Sequence, residues 1–323
     1  MEKFLITGFS GFVSKHFLQL LESRREHASI LGIDMHEPLF DTAAFKYVSC
    51  EFEKLDLLHT DDVQNVIYQF QPDYIIHLAS FSSVSFSWKN PILSFQNNTN
   101  IFLNILEAIR LNNIPTRVLS IGSSEEYGNV DERDIPLREE QVVKPVSPYA
   151  VARVSQEMLS RVYMDGYGID IVMTRSFNHI GPGQHDIFVI PSFAKQLVEG
   201  SQQKQNIIKL RTGDLSIIRD FLDVRDVVKA YYMLLKKGCS GEVYNVCSGR
   251  GISLSEILAM MANKLHVECE TITDMRLVRP KENMIITGSN QKIKNETGWS
   301  PEIDLGTAID DILSDWQERL KVR

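Results

Sequence analysis

The amino-terminal sequence reads Phe4-Leu5-Ile6-Thr7-Gly8-Phe9-Ser10-Gly11-Phe12. An apolar run of this length is typical of a buried strand, and it stops at Gly8. Residues 12–26 then show the apolar repeat of a helix. Glycines between a strand and a helix permit a tight turn and let backbone amides approach a pyrophosphate at the helix amino terminus. A strand-to-helix turn that binds nothing also uses glycine, so the glycines alone leave both interpretations open.

An acidic residue at the end of the second apolar run favours the cofactor interpretation. Asp34 ends that run, and Met35 and His36 follow it, where no arginine is present to bind a 2′-phosphate. A carboxylate at this place accepts hydrogen bonds from both hydroxyls of an adenosine ribose and repels a 2′-phosphate. The sequence therefore favours NAD over NADP, with a helix-capping aspartate as the alternative. Asp56 and Leu57, which end the third strand region, are expected to flank the adenine.

The first half of the chain alternates between predicted strands and predicted helices. Further strands are expected at 73–78, 117–121 and 170–174, with helices at 60–70, 98–112 and 149–167. This alternation predicts βαβ units and a parallel sheet. The fold class is α/β, a Rossmann-type doubly wound parallel sheet with a smaller, interleaved C-terminal α/β substrate lobe. We expect a dinucleotide-binding domain over 1–175, to which 223–250 returns, and a substrate lobe over 176–323.

Composition and charge restrict the class of protein. The 323 residues carry a formal net charge of −8, which argues against a protein that binds nucleic acid by neutralising phosphates. The four cysteines form no C-x-x-C pair and no metal-ligand spacing, so we expect reduced thiols and no metal site. No apolar run approaches the length of a membrane span, and no signal-peptide core follows Met1. We expect a cytoplasmic protein that binds neither membranes nor nucleic acids.

A serine and a tyrosine carry the predicted chemistry. Ser123 follows the strand at 117–121, so its hydroxyl is expected at the carboxyl edge of the sheet. Tyr149 and Arg153 are four residues apart on one predicted helix and share a face. A tyrosine next to a fixed cation has a lowered pKa and can exchange a proton with a sugar alcohol or ketone. These residues predict hydride transfer at a secondary alcohol; the spacing alone also fits a surface contact.

Several motifs resemble those of one enzyme family. They are Thr7-Gly8-x-x-Gly11, Asp56-Leu57, His77-Leu78-Ala79, Ser123 ahead of Glu125-x-Tyr127-Gly128, and Ser147-Pro148-Tyr149. Across essentially the whole chain, the sequence resembles the extended short-chain dehydrogenase/reductases that act on nucleotide sugars. Within that family it is most similar to the GDP-4-dehydro-6-deoxy-D-mannose reductases, through residues 121–128, 177–184 and 219–226.

The resemblance implies a role for each matching residue. It implies a catalytic group of Ser123, Glu125, Tyr149 and Arg153. It implies a cofactor site formed by Gly8, Ser10, Gly11, Phe12, Asp34, Asp56, Leu57, Leu78, Ala79, Asn98, Tyr149 and Arg153. It implies that a nucleotide-diphosphate sugar, with GDP favoured, contacts Ser83, Ser124, Asn178, Val189, Lys195, Arg219, Arg279 and Glu282. His77 is expected to be a core histidine, and His179 a loop residue that shapes the pocket.

The chain departs from the family pattern at three places. Arg153 stands where the family has a lysine that contacts the nicotinamide ribose. Arginine keeps the positive charge but is longer and planar, so the geometry of the site is expected to change. Ser14 replaces a glycine that lets the first helix pack closely against the sheet. Ile101 and Phe102 replace a Gly-Thr pair of the family, and this replacement is expected to alter helix packing at the family's dimer interface.

Three functions fit these residues. The first is reduction of the C4 ketone of a GDP-4-keto-6-deoxy-hexose by NAD(P)H. The second keeps NAD resident in a nucleotide-sugar 4,6-dehydratase, 4-epimerase or 4-dehydrogenase, with a GDP-heptose as a further substrate; Glu125 stands where the dehydratases abstract the C5 proton. The third is a degenerate relative that binds nucleotide sugar or NAD without turnover. The resemblance also implies a homodimer or homotetramer through the helices at 98–112 and 149–167.

Overall fold

The protein alternates strands and helices through most of its length. The computed structural model describes residues 1–278 and 283–321. The strands in these ranges are β1 (Glu2–Thr7), β2 (Ala28–Asp34), β3 (Val48–Lys54), β4 (Tyr74–His77), β5 (Arg117–Ser123), β6 (Asp170–Ser176), β7 (Asn178–Ile180), β8 (Ile207–Thr212), β9 (Ile218–Asp223), β10 (Val243–Val246), β11 (Gly251–Ser253), β12 (Glu268–Thr273) and β13 (Ile285–Ile286). The helices are α1 (Phe12–Ser23), α2 (Thr60–Phe70), α3 (Val84–Lys89), α4 (Pro91–Phe95), α5 (Ile101–Asn112), α6 (Pro148–Tyr167), α7 (Val189–Gln202), α8 (Val224–Lys237), α9 (Leu254–Leu265), α10 (Gln291–Thr297) and α11 (Leu305–Lys321).

Seven strands form one parallel sheet in the order β10-β6-β5-β4-β1-β2-β3. The strand order reverses between β1 and β4, and at such a switch point the flanking loops leave a crevice at the carboxyl ends of the strands. β10 comes from the second half of the chain and pairs with β6 at the edge of this sheet. The predicted fold class, a doubly wound parallel sheet with an interleaved smaller lobe, is confirmed.

Both faces of the seven-stranded sheet are buried, as β1 illustrates. Phe4 and Ile6 point to one face and pack in a core that includes Phe17 and Tyr231. Leu5 points to the opposite face and packs in a second core that includes Phe102. A parallel strand covered by helices on both sides needs this continuous apolar run, because each successive side chain enters a different core.

A second lobe covers the carboxyl ends of the sheet and has its own core. Its small sheet has the order β11-β9-β13, with β7 paired to β9, and β8 pairs separately with β12. Helices α7, α9 and α11 pack together through side chains such as Phe193, Met261 and Trp316. None of the described helices combines the length and the apolar character needed to span a lipid bilayer.

Some predicted boundaries were wrong, each for a local reason. The first helix ends at Ser23, because Arg25 adopts a left-handed backbone conformation with φ of 55°. A single π-helical turn, Gln96–Asn100, precedes α5, so that helix begins at Ile101. β3 ends at Lys54, which places Asp56 in the following turn, where its carbonyl accepts from His59. His179 lies in β7 rather than in a loop, since its backbone pairs with β9.

Candidate active site

The glycine turn between β1 and α1 lies against the chain that follows β4. Gly8 has a φ of +71°, and a Cβ on it would lie 2.7 Å from the backbone nitrogen of Ala79. Only glycine fits this close approach without displacing the neighbouring backbone. Gly11 closes the turn by donating to the Gly8 carbonyl at 3.1 Å. The structure thus brings together Gly8, Leu78 and Ala79, which are far apart in sequence.

Ser14 fits where the family has glycine. Its side chain is buried, and its hydroxyl donates to the Gly8 carbonyl at 3.3 Å. The extra hydroxyl therefore finds an acceptor inside the turn, and α1 still packs against the sheet. Because Gly11 precedes α1 and has no side chain, no cap competes for the first helical amides. Free amides at a helix amino terminus suit an anionic pyrophosphate.

Asp34 is tied to the glycine turn through its carboxylate. It is the last residue of β2, so the alternative that it caps a helix is wrong. Its two oxygens accept from the backbone amides of Ser10 at 3.1 Å and His36 at 3.0 Å. The Ser10 hydroxyl donates to the His36 carbonyl and closes this small network. The carboxylate is half-buried and keeps unused lone pairs for a ribose.

Three other predicted cofactor residues shape the loops around this turn. Asp56 accepts from the Leu58 amide at 2.9 Å, and Leu57 is buried in the core. Asn98 is buried in the π-helical turn and bonds both ways to Phe81, accepting its amide at 3.0 Å and donating to its carbonyl at 3.3 Å. Asn98 therefore holds the loop that continues from Ala79.

Residues predicted to be catalytic lie at the carboxyl end of β5 and at the start of α6. Ser123 is the last residue of β5, and its hydroxyl oxygen accepts from the Glu125 amide at 3.2 Å. Tyr149 lies in the first turn of α6 and is 6% exposed. The Nε of Arg153, one turn later, donates to the Tyr149 hydroxyl at 3.3 Å. The structure rejects the alternative of a surface contact, because Arg153 is 4% exposed.

Histidine 77 lies behind this pair in the core. It is fully buried, and its Nδ1 lies 2.9 Å from the Thr7 hydroxyl. Burial lowers the pKa of His77 to about 3, and the nearby charge of Arg153 acts in the same direction. His77 is therefore a neutral core histidine at physiological pH. Its core placement agrees with the prediction, whereas its buried Nε2 has no hydrogen-bond partner among the described residues.

The predicted substrate residues are spread over both lobes. Ser83 caps α3 by accepting from the Phe86 amide at 3.2 Å, and Ser124 is buried next to Ser123. Val189 begins α7, and Lys195 on the same helix donates to Asp186 at 2.7 Å. Two further residues lie on neighbouring strands of the small sheet: exposed Asn178 on β7 and buried Arg219 on β9. Arg279 and Glu282 lie outside the described residues.

The stretch 177–184 joins the second lobe to α1. The ring of His179 stacks on Phe12 with centroids 5.7 Å apart. The Nε2 of His16 lies 2.9 Å from the Pro182 carbonyl oxygen. Burial lowers the pKa of both histidines, so the two rings are neutral spacers at this junction. The stretch that contains β7 therefore packs directly on the first turns of α1.

Comparison with known proteins identifies the family. A family model described as GDP-mannose 4,6 dehydratase matches residues 5–312. The chain belongs to the GDP-mannose 4,6-dehydratase family. The predicted resemblance to the extended short-chain dehydrogenase/reductases that act on nucleotide sugars is confirmed.

Members of this family with known activities cover the whole chain. The chain is 34% identical over 320 residues to GDP-6-deoxy-D-mannose reductase of Pseudomonas aeruginosa, with 99% of each chain covered. It is 30% identical over 297 residues to GDP-6-deoxy-D-talose 4-dehydrogenase of Aggregatibacter actinomycetemcomitans, covering 92% of this chain and 91% of that protein. The solved structure of RMD from Pseudomonas aeruginosa complexed with NADPH matches with a TM-score of 0.86 and 34% identity, covering 99% of this chain and all (100%) of that one.

A buried acidic pair behind Ser123 was missed by the sequence analysis. Glu126 accepts from the Ser123 backbone amide at 2.6 Å, which completes a reciprocal capping box. Glu157 on α6 forms two hydrogen bonds with Arg175, at 3.0 and 3.1 Å. The Ser-x-x-Glu spacing of Ser123 and Glu126 is the capping-box signature, so a signal for this contact was present in the sequence.

No metal centre is found in the part of the chain that the structure describes. Across residues 1–278 and 283–321, no group of three or more His, Cys, Asp or Glu residues is arranged to hold an ion. The four cysteines are free thiols, of which Cys247 is buried.

Proposed function

We propose that this protein catalyses the NAD(P)H-dependent reduction of the C4 ketone of a GDP-4-keto-6-deoxy-hexose. The observation that carries the proposal is the contact between Arg153 and the Tyr149 hydroxyl, 3.3 Å long. The same guanidinium donates to the carbonyl of Ile121, two residues before Ser123 on β5. A hydroxyl next to a permanent cation is suited to giving a proton to a ketone oxygen. The 34% identity to a GDP-6-deoxy-D-mannose reductase over the whole chain supports the same reaction class.

The first lobe has the features that a dinucleotide needs. The glycine turn and the uncapped amino terminus of α1 suit the pyrophosphate, and Asp34 suits the adenosine ribose. When bound, the nicotinamide supplies the hydride that reaches C4. Asp34 favours NAD, while the related RMD structure is complexed with NADPH, so both cofactors enter the test. The further residues assigned to this site are Ser10, Gly11, Phe12, Asp56, Leu57, Leu78, Ala79 and Asn98.

Two hydroxyls act on the reacting oxygen. Tyr149 donates its proton to the C4 oxygen, and the charge of Arg153 stabilises the phenolate that remains. The Ser123 oxygen already accepts from the Glu125 amide, so its own hydrogen is available to the C4 oxygen. Ser123 thereby orients the carbonyl and Tyr149 protonates it.

The second lobe is assigned to the nucleotide sugar. Asn178 and Arg219 lie on neighbouring strands, and a guanidinium donates to a diphosphate in a bidentate manner. This assignment divides the chain into a dinucleotide domain over 1–175, with 223–250 returning to it, and a substrate lobe over 176–323. Within reach of the crevice, the other residues assigned to substrate are Ser83, Ser124, Val189 and Lys195.

A second candidate function keeps the same fold and changes the chemistry. Glu125 directly follows Ser123-Ser124, at the place where related 4,6-dehydratases carry the residue that abstracts the C5 proton. The matching family model is also described by a 4,6-dehydratase activity. Glu125→Gln separates the two functions, since it should abolish elimination and leave ketone reduction in place.

The deciding experiment is the consumption of NADH and NADPH by the purified protein with GDP-4-dehydro-6-deoxy-D-mannose. We expect rapid oxidation of at least one cofactor. Tyr149→Phe should lower kcat by about 10²-fold or more while cofactor still binds. Tyr167→Phe is the matched control, because Tyr167 is on the same helix but 56% exposed. Absence of oxidation, together with co-purified NAD that resists dialysis, would favour the second candidate.

We further propose that the protein forms a homodimer, or a homotetramer built from that dimer, through α5 and α6. Val151, Met158 and Val162 are exposed on one side of α6, spaced by seven and four residues. They line a shallow apolar groove of about 440 Å³ with Leu103 and other residues. Apolar side chains in a row on one helix face suit a symmetric partner, in which each α6 packs on its copy.

A further inference from the structure

The guanidinium of Arg153 is held by more than its contact with Tyr149. Its Nη1 donates to the Ile121 carbonyl at 2.9 Å and to the Gln156 side-chain oxygen at 2.6 Å. Ile121 lies in β5, two residues before Ser123, so the cation is attached to the strand that carries the reactive serine. Gln156 lies three residues after Arg153 on α6 and is 1% exposed.

The orientation of the Gln156 amide follows from its other bonds. Its nitrogen donates to the Ser120 hydroxyl at 2.9 Å and to the Ile121 carbonyl at 3.1 Å. With the nitrogen committed to these two acceptors, the oxygen must face Arg153. The Ser160 hydroxyl supports the arrangement, because it donates to the backbone carbonyl of Gln156 at 2.9 Å and its oxygen lies 3.2 Å from the Ser120 oxygen.

We propose that Gln156 is a positioning residue that makes an arginine work where the family has a lysine. This inference deepens the proposed function and rests on it. Arginine carries five N–H donors in a fixed plane, and a buried donor without an acceptor is costly. Nη1 donates to the Gln156 side-chain oxygen and to the Ile121 carbonyl, while Nε donates to the Tyr149 hydroxyl. The titratable groups that face this cation are Tyr149, His77 and Tyr231.

The neighbouring groups leave Arg153 as the fixed charge of the cluster. His77 is neutral, because burial lowers its pKa to about 3. Burial also raises the pKa of Tyr231, whose hydroxyl lies 2.8 Å from that of Ser176. Since neither neighbour carries charge at physiological pH, the position of the guanidinium decides how strongly the Tyr149 phenolate is stabilised.

The test compares Gln156→Met and Gln156→Glu in the full-length protein, with and without Arg153→Lys. The first readout needs no substrate: the pH at which Tyr149 ionises, taken from tyrosinate absorbance as the difference between each variant and the same variant carrying Tyr149→Phe. The second readout is the pH dependence of kcat. Thr297→Val is the matched control, because it removes buried hydrogen bonds with Ile293 and Trp299, outside the network of Arg153 and Gln156.

We expect Gln156→Met to lower kcat about tenfold at neutral pH, with KM changed little, and to move the tyrosinate absorbance difference and the pH dependence of kcat to higher pH. Gln156→Glu preserves the shape of the side chain and pairs with the guanidinium. It should shift both readouts in the same direction as Gln156→Met, and it keeps the test possible if the methionine variant folds poorly. In the Arg153→Lys background the same substitutions should have a clearly smaller effect, and Thr297→Val should shift neither readout.

Equal shifts in the arginine and lysine backgrounds, or no shift, would overturn the assignment of Gln156. Failure of the proposed function would look different. In that case the wild-type protein would not turn over the ketone, while the absorbance titration would still report whether Gln156 acts through Arg153.

Discussion

The backbone amide of Ser123 donates to the side chain of Glu126 over 2.6 Å, so a buried carboxyl group holds the serine at the carboxyl end of β5. Burial raises the pKa of Glu126 to about 8, and the charge of Glu157 adds to the shift. Arg175 instead lowers the pKa of Glu157, to which it donates two hydrogen bonds. Burial therefore favours a proton on Glu126, and the two hydrogen bonds from Arg175 favour the ionised form of Glu157.

This relationship predicts a pH dependence of stability. A carboxyl whose pKa is higher in the folded than in the unfolded protein binds more protons when folded, so stability falls as pH rises between the two values. We expect the free energy of unfolding to decrease from about pH 4.5 towards pH 8, and Glu126→Gln to flatten this decrease. The largest slope that one proton produces is about 1.4 kcal/mol per pH unit.

Urea unfolding at several pH values measures this effect. Glu132→Gln is the matched control, because Glu132 is exposed. If the free energy of unfolding of Glu126→Gln fell as steeply with rising pH as that of the wild type, Glu126 would not be the titrating group. Below pH 4.5, the lowered pKa of Glu157 predicts a separate loss of stability in both proteins.

Asp34 should set the preference between the two nicotinamide cofactors. Asp34→Asn removes the negative charge and keeps an oxygen that accepts from the backbone, as both oxygens do from Ser10 and His36. We expect the ratio of kcat/KM for NADPH to that for NADH to rise about tenfold, since repulsion of the 2′-phosphate is lost. Asp41→Asn, an exposed capping residue after β2, should leave the ratio unchanged. An unchanged ratio for Asp34→Asn would show that this carboxylate does not face the ribose.

Gly8→Ala should destabilise the protein through a steric clash as well as backbone strain. A Cβ at Gly8 would lie within 3 Å of backbone atoms of Leu78 and Ala79. Gly168 has nearly the same φ, +70°, with no other described heavy atom within 4 Å of such a Cβ. We expect Gly168→Ala to lower the free energy of unfolding by about 1 kcal/mol and Gly8→Ala by at least ~3 kcal/mol. Thermal unfolding compares the two, and equal losses would mean that the close approach to Ala79 is unimportant.

A charge on the exposed side of α6 should separate the subunits. Met158 is 43% exposed in the apolar groove, and Met158→Arg would bring two like charges together at a symmetric contact. We expect the mass measured by sedimentation to fall to that of one 36.9 kDa chain. Tyr68→Arg, on exposed α2, is the control and should leave the mass unchanged. A variant at 158 that keeps the wild-type mass would place the subunit contact elsewhere.

The parts of the site that follow from local patterns were predictable. The glycine turn, the acid that ends β2, and the spacing of Tyr149 and Arg153 each depend on residues close together in sequence. Their placement needed only the periodicity of strands and helices and the rule that parallel strands end at one edge. The sequence also shows that Ser14 and Arg153 depart from the family pattern. It does not show which contacts accommodate these two side chains.

Sequence by itself therefore determined the α/β class and the family, because repeating apolar patterns and short motifs express them directly. Tertiary structure alone decided that Gln156 meets Ser120, and that Glu126 is buried near Arg175. Ser120 and Gln156 are 36 residues apart, on a strand and a helix whose relative rotation depends on packing. The sequence around a helical glutamine does not indicate which distant residue its side chain will bond to across the core. The tuning of the site depends on such contacts.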